Sequence, residues 1–257
     1  MPQLQNDAGH GSNTYPPSKG VPGLAEHTFN AAVGSELKRL LAGKIPTYEA
    51  QTFGAKDVAL STRTNLYNAQ YIKNKDAIGM SHHANANKDP DRRGIGIFYW
   101  HKSSKGKKLA EMILEEYKKE FPDREKYPIW GDGLFPCVPG TWTNLHMCRE
   151  TSAPFVLIEW EFMTNKESLE LLKSDDYRKR CALVAARVAC HWYGIQFEDK
   201  EVAKVANKTN EKADAFAQEA QEWAKEMGIS DGSNPRDSIT RQEIWVMLQR
   251  LYEKVKG

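Results

Sequence analysis

Nowhere in this 257-residue sequence is there an uninterrupted apolar run approaching the roughly 20 residues that a membrane-spanning helix requires. Cysteine is scarce. Its four copies, at 137, 148, 181 and 190, include no C-x-x-C pair, which argues against a zinc-thiolate site and a dithiol redox motif. Cys181 and Cys190 lie in an apolar helical pattern and read as reduced core residues. A strong excess of one charge is also missing. The net charge is +2, and residues 198–257, with 10 basic and 12 acidic side chains, carry −2 of a total to which residues 1–197 contribute +4. Nucleic-acid binding, which calls for a pronounced basic excess, is not expected. The opening Met-Pro-Gln-Leu-Gln-Asn has neither the basic nor the apolar segment of a secretory signal, so the expectation is synthesis in a cytoplasm.

What is present is the patterning of a soluble globular chain, 40% hydrophobic and 27% charged. Four consecutive apolar residues, Phe155 to Ile158, predict a short buried strand, with Glu159 where it runs out. Other strands are expected near Leu4, breaking into a Gly-rich loop at Asp7-Ala-Gly, at Val58–Thr62 leading to Arg63, at Ala77–Ser81 and at Gly94–Trp100. Helical spacing predicts helices over Glu26–Leu41, Leu66–Lys73, Lys107–Glu120, Lys166–Leu172 and Tyr177–Trp192. Residues 11–24, with three Gly and three Pro, read as a loop, and residues 121–143 as loop-rich. Strands alternating with helices specify an α/β fold: a mostly parallel central sheet flanked by helices on both faces.

Composition shifts after Phe197. Residues 198–212 are charged and poor in large apolar side chains, which fits a linker. Residues 213–257 predict a small helix–loop–helix unit. In it Phe216, Ala220, Trp223, Ala224 and Met227 line one helix closed by Gly228, Asp231–Pro235 turns, and Thr240-Arg-Gln-Glu243 has capping-box spacing. So small a unit hides its own core poorly, so packing against residues 1–197 or self-association is expected.

In open α/β sheets, ligands collect beyond the carboxyl ends of the strands, so the polar residues placed there carry the functional reading. Two histidines and a glutamate, distant in sequence, are usual ligands of an open zinc site. His10 sits in a Gly-His-Gly turn whose small neighbours admit a metal, or leave the imidazole in solvent. Glu26 begins a predicted helix, where a carboxylate also simply complements the helix dipole. His82 and His83 are adjacent, so on an extended backbone they point to opposite sides and at most one is a ligand.

Together, Asp7-Ala-Gly-His-Gly, Gly23-Leu-Ala-Glu26, Ser81-His-His-Ala-Asn-Ala86 and Pro154-Phe-Val-Leu-Ile-Glu159-Trp-Glu-Phe-Met-Thr-Asn165 resemble, in that order, the zinc-dependent N-acetylmuramoyl-L-alanine amidases of bacterial autolysins and phage endolysins. The resemblance covers residues 1 to about 195. It implies a Zn2+ ion held by His10, Glu26 and His83, with His82 as the variable position, and Glu159 as the catalytic carboxylate. The chain departs from the family pattern at Ser12, where a second glycine is usual, and at Glu161, where a small or neutral residue is usual. On a strand Glu159 and Glu161 would share a face, so their roles could be exchanged. His27, His101, His146 and His191 match no ligand position and read as surface or packing residues.

The implied reaction is hydrolysis of the amide between N-acetylmuramic acid and L-alanine in peptidoglycan. A zinc peptidase acting within the stem peptide and a non-catalytic wall-binding protein are the competing readings. The tail, about residues 213–253, resembles a single S-layer-homology repeat, which implies contact with secondary cell-wall polysaccharide. An amidase with such a tail and no signal segment resembles a phage or prophage endolysin, reaching the wall after a holin opens the membrane.

Overall fold

Leu4 to Ala8 form strand β1, followed by a small hairpin of β2 (Gly20–Val21) and β3 (Leu24–Ala25), helix α1 (Glu26–Leu41) and the two-residue strand β4 (Thr47–Tyr48). Then come α2 (Leu60–Lys73), β5 (Ile78–Asn85), β6 (Ile95–Trp100), α3 (Ser104–Glu120) and β7 (Ile129–Cys137). Helix α4 (His146–Glu150), strand β8 (Phe155–Phe162) and helices α5 (Lys166–Lys173) and α6 (Asp175–Trp192) complete the first unit. The computed structural model describes residues 1–197, 217–229 and 241–256 and divides into two units, Met1–Phe197 and Glu198–Gly257.

The six-stranded sheet runs β4-β1-β5-β8-β6-β7. Every neighbouring pair is parallel except β8–β6, which is antiparallel. This is the mostly parallel α/β architecture expected from the sequence. One core cluster joins Met80, Val156, Ile158 and Trp160 of the sheet to Phe29, Val33 and Leu37 of α1 and to buried residues of α3 and α6. A second joins Phe98, Phe155 and Leu157 to Tyr67 of α2 and to Met147 and Cys148 of α4. Alternation along β8 thus supplies both faces from one strand.

Helix α1 has the alanine Ala25 at its N-cap and no side-chain capping bond. Packing holds it instead, since full burial of each large apolar side chain contributes roughly 1.5–3 kcal/mol. Glu26, in its first turn, is therefore not engaged in capping and can turn toward the end of the sheet.

Three expectations need correction. Residues 58–62 form no strand; α2 already begins at Leu60, six residues before the predicted start. Its start is secured by tertiary contacts, as Arg63 reaches back to the Val58 carbonyl and inward to Asp7. Residues 121–143, expected to be loop-rich, also contain the unexpected strand β7, which among the described residues pairs only with β6 and whose register is broken near Gly131 and Gly133. Glu159 does not mark the end of its strand, because β8 continues to Phe162.

In the second unit, α7 (Gln218–Glu226) ends in a Schellman turn, in which Gly228 (φ 64°) donates to the Lys225 carbonyl and Ile229 to that of Ala224. Helix α8 spans Arg241–Lys256, and Arg250 donates to the Ile229 carbonyl. The expected linker, the Asp231–Pro235 turn and Thr240 lie outside the described residues.

Candidate metal centre

Burial of an ion pair fixes the end of β1. Asp7, fully buried, accepts hydrogen bonds from Arg63 at 3.0 Å, Tyr67 at 3.1 Å and the Ser81 hydroxyl at 2.5 Å. These donors tie the end of β1 to α2 and β5, and Gly9-His10-Gly11 follows. A Cβ on Gly9 would lie 2.0 Å from Cε1 of His83, and one on Gly11 would lie 2.0 Å from the backbone nitrogen of Asp57. The glycines therefore make room for the second histidine and for the 56–57 backbone, while His10 takes the left-handed conformation (φ 64°). Gln51 clamps this turn by donating to the carbonyls of Ala8 and His10.

The three residues expected to share a metal converge. Nε2 of His10 lies 3.2 Å from Oε2 of Glu26, and Nδ1 of His83 lies 3.0 Å from Oε1. The two imidazole rings meet edge to face at 5.1 Å. One donor atom from each of the three residues falls within 4.8 Å of the others. A tetrahedral ion with bonds of about 2.0 Å sets its ligands about 3.3 Å apart. The two histidine–carboxylate separations are close to that spacing, although they run to different oxygens of Glu26, and the donor set of two imidazole nitrogens and one carboxylate suits zinc.

Burial would push the Glu26 carboxyl up, but hydrogen bonds from His10 and His83 overcome it and hold the group well below the usual carboxylate range. Glu26 also accepts from the backbone nitrogen of Ala84 and from Asn30, one helical turn further along α1. Asn30 donates in addition to the Gly9 carbonyl, tying helix, turn and carboxylate together.

Strand pairing sorts the histidines. His83 stands opposite Glu159, and His82 opposite Ile158. His82 is fully buried, stacks on Trp160 with ring centroids 6.1 Å apart, and accepts a hydrogen bond from the Trp160 indole at Nδ1. Burial pushes its pKa down to about 3, so it stays neutral. His83 faces the cleft.

A register shift after His83 and Glu159, where Asn85 stands opposite Phe162, separates the glutamates, which on a regular strand would share a face. Glu159 lines a cleft of about 550 Å³ together with His10, Glu26 and His83. Its Oε2 is buried with no hydrogen-bond partner, and burial, reinforced by the Glu26 charge, pushes its carboxyl well up. Glu161 is outside this lining. It accepts from the backbone nitrogen of Gly94 at 2.7 Å and the Ser168 hydroxyl at 2.8 Å, anchoring the start of α5. Asn165 caps the same helix through Glu167 and Ser168.

Residue-by-residue reading missed Asn30, Gln51 and His146. Asn30 is a polar residue four positions after Glu26 and beside the apolar stripe of α1, a signal open to detection. Gln51 sits in irregular chain and gave none. His146, expected to be a surface or packing residue, lines the cleft at the start of α4, where its Nε2 lies 3.3 Å from the Thr64 hydroxyl.

The chain matches the family model described as N-acetylmuramoyl-L-alanine amidase over residues 7–188. The solved catalytic domain of CwlV, an N-acetylmuramoyl-L-alanine amidase from Bacillus (Paenibacillus) polymyxa var. colistinus, superposes with a TM-score of 0.62 at 22% identity, over 76% of this chain and 100% of that one. The amidase from Clostridium difficile 630 gives 0.62 at 21% identity, over 76% and 97%. AmiC2 of Nostoc punctiforme gives 0.61 at 21%, over 75% and 97%. A comparison with curated protein sequences returned no significant match. The fold is shared with these structures, and the family match spans β1 to α6, from Asp7 through all four cleft residues; the chain belongs to the N-acetylmuramoyl-L-alanine amidase family.

Proposed function

We propose that this chain is a zinc-dependent peptidoglycan hydrolase that cleaves the amide between the lactyl group of N-acetylmuramic acid and L-alanine. The observation that carries the reading is the convergence of His10, Glu26 and His83 on one point of a cleft that Glu159 also lines. A zinc ion supplies Lewis acidity, lowering the pKa of water toward 7 and polarising the amide carbonyl. Two neutral imidazoles and one carboxylate would hold it with a net positive charge. Asn30 and Ala84 keep Glu26 oriented, and Asn30 and Gln51 hold the turn that carries His10.

Glu159 serves as the proton carrier. Its place in the cleft beside His10, Glu26 and His83 suits a group that takes a proton from water and delivers it to the departing alanine nitrogen. Digestion of purified peptidoglycan with mass analysis of the products tests the assignment. Released peptides should begin with intact L-alanine, a chelator should stop their release, and added zinc should restore it. Cleavage inside the stem peptide, or full activity in chelator, would overturn the reading.

The second unit is proposed to retain the enzyme on the wall through secondary polysaccharide, on the strength of its likeness to an S-layer-homology repeat. Removing residues 198–257 should lower retention on purified walls; unchanged retention refutes the role. The setting proposed is phage or prophage lysis. Expression in the host should lyse cells only when a membrane-opening protein is co-expressed, and lysis without one contradicts it.

A further inference from the structure

Beyond the metal centre the cleft continues into a second hollow of about 370 Å³, with Asn85, Ala86, Leu145 and Glu159 common to both. Its wall is aromatic. Phe98 of β6 stacks on Phe135 of β7 at 5.0 Å, Trp130 lies 4.4 Å from Phe135, and the Trp142 ring stands 5.6–6.0 Å from all three. Phe98 is buried, whereas Trp142 is 67% exposed.

An exposed tryptophan in a loose loop would mean little. This one sits in a pinned turn. Thr141 donates from its hydroxyl to the Val138 carbonyl, Thr143 donates to that of Pro136, and the two hydroxyls lie 2.8 Å apart. The turn thus holds a large apolar face at the rim of the hollow, where solvation is unfavourable without a ligand. Asn87 and Arg92 line the same hollow and add hydrogen-bond donors.

We propose that this aromatic hollow is a saccharide subsite that takes an N-acetylhexosamine ring of the glycan strand next to the scissile amide. The ligand class follows from the chemistry of the walls. A pyranose has a flat face of C–H bonds that lies on an indole, and a rim of hydroxyl and acetamido groups that meets amide and guanidinium donors. Few convergent polar groups around an aromatic surface are the usual means of fixing such a ligand. A stem peptide brings carboxylates and aliphatic side chains, which leave the face of Trp142 unused. The subsite rests on the amidase reading only for the identity of the polymer.

The test uses the full chain and the peptide-free β-1,4-linked tetramer of N-acetylglucosamine. Titration followed by the indole N–H resonance of Trp142 should show a saturable shift. By calorimetry, the dissociation constant should rise at least tenfold in Trp142→Ala and less than threefold in Trp142→Phe, which keeps a ring. Because Trp142 is exposed, circular dichroism should show both variants folded. No saturable binding, an unchanged constant in Trp142→Ala, or a shift evoked by an isolated stem peptide and not by the tetramer would overturn the subsite. Peptide release from walls, measured in parallel, separates the two readings. Release without tetramer binding overturns the subsite alone, and tetramer binding without release overturns the amidase activity alone.

Discussion

Strands β5 and β8 lie side by side at the middle of the sheet, and their two faces use the same residue types to opposite ends. On one face His83 and Glu159 stand as lateral partners in the cleft. His82, one residue before His83, is sealed against Trp160 and kept neutral, and Glu161, two after Glu159, is spent on backbone and serine donors. The difference teaches that histidine and glutamate acquire their roles here from register. Each glutamate keeps one buried oxygen without a hydrogen-bond partner, so what sets Glu159 apart is that it lines the cleft, whereas Glu161 does not.

Substitutions can break this comparison, beginning with the largest effect. Glu159→Gln should lower peptide release by about 10²–10⁴-fold, the usual contribution of a general acid–base group. Metal content measured on the same sample should be unchanged, and activity near wild type would return the role to another residue. Next, Gly9→Ala forces a methyl into the His83 ring. Zinc affinity, followed by competition with a chromophoric chelator, should fall about 10–100-fold, the range seen when support for a ligand is lost. Unchanged affinity would mean that His83 is not held where it must ligate.

Smaller effects should come from the core face. His82→Leu strands the Trp160 indole N–H, so stability should drop by about 1 kcal/mol in urea titrations while zinc affinity is retained. Loss of zinc would show that the two histidines are not separable. Glu161→Gln should act through pH. Burial raises the Glu161 carboxyl from its ordinary 4.5, partly offset by the Gly94 and Ser168 bonds. The neutral form therefore suits the fold, and its contribution, present below about pH 4.5, is lost as pH rises through the folded value. Thermal melts should show the variant close to wild type at pH 4 and more stable than wild type at pH 7. The reverse order would mean that the charged form is the one the fold prefers.

The fold was legible wherever one physical signal dominated. Helix α1 was read from its apolar stripe with both ends matching, and β8 from its four-residue apolar run. Strand β7 was hidden because an edge strand needs no continuous apolar pattern; Gly131, Asp132 and Gly133 suit its irregular backbone, and Pro136 is tolerated where pairing is one-sided. The start of α2 was misread because Val58-Ala-Leu has strand-like composition, while Arg63, buried against Asp7, decides the conformation through a contact 56 residues away in sequence. Single residues left the candidate ligands ambiguous: His10 read equally as an exposed turn residue and Glu26 as a dipole partner. Four motifs in order pointed to the three residues that the structure brings together. Gln51 stayed invisible, since its value lies wholly in which carbonyls it reaches.

The flanks of the sheet carry a consequence of their own. At one margin β4 is two residues long, and at the other β7 is kinked by glycines and interrupted by Pro136. Neither margin presents the long, flat row of vacant amide groups on which a second molecule could add a strand. A sheet with such margins is guarded against edge-to-edge pairing with a second copy.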